Sequence, residues 1–184
     1  MKILFIHQNF PAQFKFLAPA LAKSGHQVSA MTMRKDIGNS WQNVELVRYE
    51  CDRSSTNNVH PWIADFETKI IRAEGCYRAA INLKASGYYP DLIIAHHGWG
   101  ESLFIKQVWP KTTLGIYCEF YYNLEGADVG FDPEFPLADS AGEICRLRLK
   151  NLNNFMHIGL ADRGISPTHW QATTFPEPFR EKIT

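Results

Sequence analysis

The chain has 184 residues, enough for one sizeable core, and its 45% hydrophobic and 21% charged content fits a folded globular protein, not a disordered segment. Nineteen Lys and Arg balance nineteen Asp and Glu, which removes the electrostatic footprint of a nucleic-acid binder. The scattered cysteines, Cys51, Cys76, Cys118 and Cys145, make no zinc or redox spacing and read as reduced core residues of a cytoplasmic protein. No apolar run is long enough for a signal peptide or a membrane span, and peripheral attachment to the inner face of a membrane stays open.

In chain order, Lys2 to His7 is a short apolar run suited to a buried parallel strand. Phe14, Leu17, Ala18 and Leu21 then recur at helical spacing, and Gly25 stands where a helix ends in a left-handed turn. Val28 to Met33 predicts a second strand, Arg34 to Asn43 a polar loop and Val44 to Tyr49 a third strand. From Pro61 the pattern turns helical, with Phe66, Ile70, Ala73, Tyr77 and Ile81 on one face and Gly87 closing it. Leu92 to Ala95 follows as a strand, Glu101 to Trp109 as a short helix stopped by Pro110, and Thr113 to Cys118 as a strand ending at Glu119. Beyond the aromatic and acidic stretch Phe120 to Leu137, Cys145, Leu149, Leu152 and Met156 form the stripe of one long helix, and Arg163 to Ser166 predicts a sixth strand.

Strands alternating with helices imply an α/β fold: a Rossmann-like, mostly parallel sheet of six or seven strands with helices on both faces. Ligands of such sheets bind beyond the carboxyl ends of the strands. Three ends converge there, bringing His7, Gln8, Asn9 and Gln13 together with His96, His97 and Trp99, and with Glu119 and Tyr121. The first turn, His7-Gln8-Asn9-Phe10-Pro11-Ala12, has no glycine, which argues against a dinucleotide; its amides and imidazole suit hydroxyls, or merely cap a helix. His96 and His97 leave a strand side by side, so one of the two faces a cleft. Glu119 is either a partner for hydroxyls or a solvated strand end, and no local ligand spacing supports a metal among these groups. Rings and carboxylates from Phe120 to Phe135, Asp128 among them, suit a carbohydrate or tuck a loop over the sheet.

The opening KILFIHQNFPAQF, DLIIAHHGWGESLF from Asp91, EFYYNLEGADVGFDPEF from Glu119 and ISPTHWQATTFPEPFREKI from Ile165 resemble the N-terminal domain of a glycosyltransferase family 4 enzyme. That resemblance implies one half of a GT-B fold, a single acceptor-side domain over residues 1–184, with the donor-binding C-terminal domain absent from this chain. It further implies a retaining enzyme that moves a sugar from a nucleotide-sugar donor to a saccharide or lipid-linked acceptor in polysaccharide or glycoconjugate assembly. On that footing Glu119 and His97 are the catalytic candidates, the other named residues hold acceptor, this domain binds no cofactor, and the isolated chain is inactive. Two departures stand out: Ala12 occupies a turn position where such enzymes carry glycine, and Glu119 a region where many carry histidine. A stand-alone Rossmann-like binding module and half of a nucleotide-sugar epimerase are the alternatives.

Overall fold

The computed structural model describes residues 1–124, 132, 134 and 140–184. Seven strands form one sheet: β1 (Lys2–Ile6), β2 (Gln27–Thr32), β3 (Ser40–Trp41), β4 (Val44–Arg48), β5 (Leu92–Ala95), β6 (Thr113–Tyr117) and β7 (Arg163–Ile165), in the order β3-β4-β2-β1-β5-β6-β7. Every pairing is parallel except β3 with β4. The direction of winding reverses between β1 and β5, so their carboxyl ends flank the switch point where such folds open a crevice.

The period of two along β1 builds both cores. Leu4 and Ile6 face one side, where they join Met31, Cys76, Ala80, Ile105 and Ile158. Ile3 and Phe5 face the other, with Phe10, Phe14, Ala18, Val28 and Ala30. Helix α1 (Leu17–Lys23) covers that second face, while α2 (Ala64–Ala85), α3 (Ile105–Val108) and α5 (Leu152–Leu160) cover the first. The sheet is therefore dressed on both sides, as the alternation of elements requires.

Several sequence expectations shift in detail. The loop expected over Arg34 to Asn43 contains β3, which folds back on β4 through Gln42 and Asn43, both at positive φ (46° and 65°). Asparagine tolerates that conformation, and paired positive φ values match the twist of a two-residue hairpin. The helical stripes are rotated from those expected: Leu17 and Ile81 lie exposed, and beside the expected Ala73 α2 buries Lys69, Cys76 and Ala80. The long C-terminal helix is two, α4 (Ser140–Lys150) and α5, broken at Asn151. Cys145 is exposed and Cys51 half-exposed, so of the four free cysteines it is Cys76 and Cys118 that are core residues.

Candidate functional site

His7 leaves β1 and His96 leaves β5, and their rings meet edge-on at the switch point with centroids 5.0 Å apart. His7 Nδ1 accepts the Asn9 backbone N–H at 2.9 Å, which places the ring proton on Nε2. Nε2 is buried and has no partner among the described residues. Burial, reinforced by His96, lowers the His7 pKa to about 4, so the ring is neutral near pH 7.

His96 Nδ1 accepts the Gly98 N–H at 3.3 Å, and a side chain on Gly98 would strike the His96 ring. Glycine is what lets the turn close under that imidazole. The other nitrogen, Nε2, stands 3.2 Å from Glu119 Oε2, an ion-pair distance though off the line of a hydrogen bond. Glu119 Oε1 accepts from the Gln13 side chain at 2.9 Å. The His96 ring, with Gln13, holds the Glu119 carboxyl below the usual carboxylate range even against partial burial. Glu119 is thus an anion with one edge toward solvent, steadied by groups from two other strand ends.

His97 points elsewhere. Its Nδ1 lies 2.9 Å from the Tyr117 carbonyl oxygen and its Nε2 2.7 Å from the Asn154 side-chain oxygen, with the ring fully buried. Burial lowers its pKa to about 4. Of the adjacent histidines it is therefore His96 that faces Glu119, and His97 ties the turn to α5. Asn9 is exposed and lies outside the cavity lining, and Tyr121 packs on Phe155 and Phe175 instead of offering its ring there. Asp128 lies outside the described residues.

A cavity of about 320 Å³ opens beside this cluster, bordered by His96, Trp99 and Glu119 from the strand ends, Lys69 and Arg72 from α2, and Asn153 from α5. Asn153 donates to the His97 carbonyl at 3.0 Å, and its side-chain oxygen is buried with no donor among the described residues. Gly100 explains how α2 reaches the site. It sits at φ +96°, and a methyl there would come within 2.6 Å of the Lys69 carbonyl oxygen, so the turn after β5 lies directly on the α2 backbone. Apolar periodicity hides this arrangement, because Lys69 and Arg72 lie off the stripe it selects.

Glu101 was also overlooked by reading strand ends alone. It is 1% exposed, and its Oε1 accepts from the Gln8 N–H and the Tyr49 hydroxyl at 3.1 Å each, so it anchors the turn after β1. Burial raises its pKa. The signal available in sequence was an acidic residue following a Gly-Trp-Gly turn, which does not announce burial. No cluster of His, Cys, Asp and Glu capable of holding a metal occurs among the described residues.

The profile of a family described as "Glycosyl transferase family 4 group" matches residues 24–184. The chain belongs to that family. The match begins after the first strand and turn, so the family assignment is independent of His7 to Gln13. Among solved structures, apo UGT2 of Phytolacca americana superposes with a TM-score of 0.54 at 12% identity, over 93% of this chain and 46% of that one. CalG4, the calicheamicin glycosyltransferase, gives 0.51 at 17% identity, over 100% and 51%. A putative UDP-N-acetylglucosamine 2-epimerase from Listeria monocytogenes gives 0.50 at 15%, over 94% and 41%. At these identities the likeness is one of fold, the N-terminal Rossmann-like half of GT-B glycosyltransferases. The chain spans about half the length of the structures it matches. No curated protein matches the sequence.

Proposed function

We propose that this glycosyltransferase domain is the acceptor side of a retaining enzyme, which moves a sugar from a nucleotide-sugar donor to a saccharide or lipid-linked acceptor during cytoplasmic assembly of a polysaccharide or glycoconjugate. The observation that carries the reading is the Glu119 carboxylate: ionised, edged toward solvent beside a cavity of about 320 Å³, and fixed by His96 and Gln13. A retaining transfer passes through a state with positive charge on the sugar, and a carboxylate already ordered at that place stabilises it without reorganising. Trp99, 39% exposed at the cavity wall, offers an apolar face to a sugar ring, while Asn153 and Glu119 offer oxygen acceptors to its hydroxyls. His97 and Glu101 hold the two turns that present these groups. Donor binding belongs to a second domain, and contact with a membrane surface would be peripheral, since no helix among the described residues is long and apolar enough to cross one.

The test uses the protein expressed from its complete gene and a panel of nucleotide-sugars with saccharide acceptors. Glu119→Gln keeps shape and removes charge, and it should lower kcat about 10²–10³-fold with KM for acceptor nearly unchanged. A raised KM at wild-type kcat would instead make Glu119 an acceptor ligand; wild-type kinetics would remove it from the site. The 184-residue chain alone should show no transfer above background, and turnover by it would overturn the division of labour between domains.

A further inference from the structure

The cavity beside Glu119 meets a second hollow of about 260 Å³, between the start of α2 and α4, at Asp65 and Lys150, which border both. The two differ in chemistry. In the inner one the Asn153 side-chain oxygen is buried with no donor among the described residues, Glu119 turns an edge of its carboxylate toward solvent, and Trp99 lays its ring along the wall. An unanswered acceptor, a carboxylate and an aromatic face suit a sugar, which meets the first two with hydroxyls and the third with its C–H groups.

The outer hollow offers a sugar far less. Pro61, Trp62, Phe66, Leu147 and Leu149 supply its walls, and its charged groups are already engaged: Arg146 bonds Glu143, Asp65 bonds Lys69, and Lys150 lies over the Tyr122 ring. Trp62 and Phe66 stand four residues apart at the start of α2, so their rings share one side, and Leu147 and Leu149 face them from α4. At about 320 Å³ the inner cavity is at the small end of ligand pockets, the size for a sugar unit and little beyond it. Whatever that sugar carries toward α4 therefore enters the outer hollow. There an apolar group gains by leaving water, whereas hydroxyls would compete with pairs already made.

We infer that the acceptor is an amphiphilic glycoside: a sugar with hydroxyls on Asn153 and Glu119 that bears a hydrocarbon group lying along Trp62 and Phe66. The inference rests on the acceptor-side reading and chooses among the acceptors it allows, against a plain saccharide. Trp62 is the sharpest probe of it, because its side chain is 41% exposed and its ring contact is with His60, outside the core.

Calorimetric titration of the 184-residue chain with the methyl and octyl glycosides of glucose, galactose, mannose and N-acetylglucosamine, below micelle-forming concentrations, tests it. Each methylene taken out of water raises affinity about fourfold, so even partial cover of the chain should make at least one octyl glycoside bind about tenfold or more tightly than its methyl counterpart. Octyl tetraethylene glycol, which has the chain without the sugar, should bind more weakly than that glycoside. Trp62→Ala should cut the octyl advantage to about threefold or less at an unchanged thermal midpoint, and Trp62→Phe should keep most of it. Equal affinity for methyl and octyl glycosides, an octyl advantage that survives Trp62→Ala, or no binding at all would each overturn the inference. So would equally tight binding of the sugarless chain, which would mark the hollow as a docking face for another apolar partner. In the protein expressed from its complete gene, equal kcat/KM for methyl and octyl acceptors would sink this inference and leave the acceptor-side reading standing; Trp62-dependent binding without any transfer would do the reverse.

Discussion

Ala12 sits at φ +37°, in the left-handed region where its methyl crowds the neighbouring carbonyl. Replacing it with glycine removes a strain of about 1–2 kcal/mol while adding unfolded-chain entropy of about 0.4–1 kcal/mol, so Ala12→Gly should stabilise the protein by about 0.5–1 kcal/mol in urea titrations. The turn it closes also hangs on Glu101. Tyr49→Phe takes away one of the two hydrogen bonds that carboxyl receives from Tyr49 and Gln8, and a buried carboxyl left short of partners costs about 1–3 kcal/mol, measurable as a lowered denaturation midpoint. At this scale the strand-end residues His7, Gln13, His96 and Glu119 were legible, because topology alone brings the ends of parallel strands together. Which of His96 and His97 turned inward was not, since Asn154 and the Tyr117 carbonyl that claim His97 come from distant parts of the chain.

Helix α2 shows how an element can reverse a local preference. Glycine within a helix is normally improved by alanine, by about 1 kcal/mol. At Gly75, however, a methyl would lie 2.2 Å from the Glu50 carbonyl oxygen, where α2 presses on the end of β4. Gly75→Ala should therefore destabilise by about 1–3 kcal/mol. Gly159 in α5 has nothing within 4 Å of that position, so Gly159→Ala should gain up to about 1 kcal/mol, and thermal unfolding of the pair separates the two effects. Helix α5 also shows why its apolar stripe misled. It turns Asn153, Asn154 and His157 inward and leaves Leu152 and Phe155 exposed. The inward groups bond the His97 carbonyl, the His97 ring and Ser102, so polar partners from the turn after β5 set the helix phase, and hydrophobic periodicity has no access to them. Asn151 breaks the helix for a similar reason: its amide both donates to the Tyr122 carbonyl at 2.7 Å and accepts the Tyr122 N–H at 2.9 Å.

For the whole molecule, the buried histidines set the response to acid. Burial, with a neighbouring histidine, lowers the pKa of His7 and His97 to about 4 and that of His157 to about 3. Unfolded imidazoles bind protons near pH 6.5, so between about pH 6.5 and 4 the unfolded chain takes up more protons than the folded one, and stability falls as pH falls. Each histidine contributes up to about 1.4 kcal/mol per pH unit to that slope. Glu101 acts in the opposite sense, its raised pKa adding stability at low pH that is lost as pH rises through the folded value, but it is one group against three. Urea midpoints should decline steadily from pH 7 to pH 4.5; a flat profile would mean that these rings are protonated in the native state.

The parallel sheet was legible from its alternating elements, its edge strand β7 included, whereas the pairings that finish its two borders were not, because each is only a few residues long. On one side stands β3, two residues in length; on the other, Ile183 bridges Gly164, Thr184 N–H donates to the Gly164 carbonyl, and Ser166 N–H donates to Thr184. Open strand borders recruit other chains, and here both are too short or already taken to act as templates. Ile183 and Thr184 thus guard colloidal behaviour as much as shape: in the 184-residue chain, removing them uncovers the rim of β7, and such a variant should self-associate on concentration, seen as rising light scattering, where the parent stays clear.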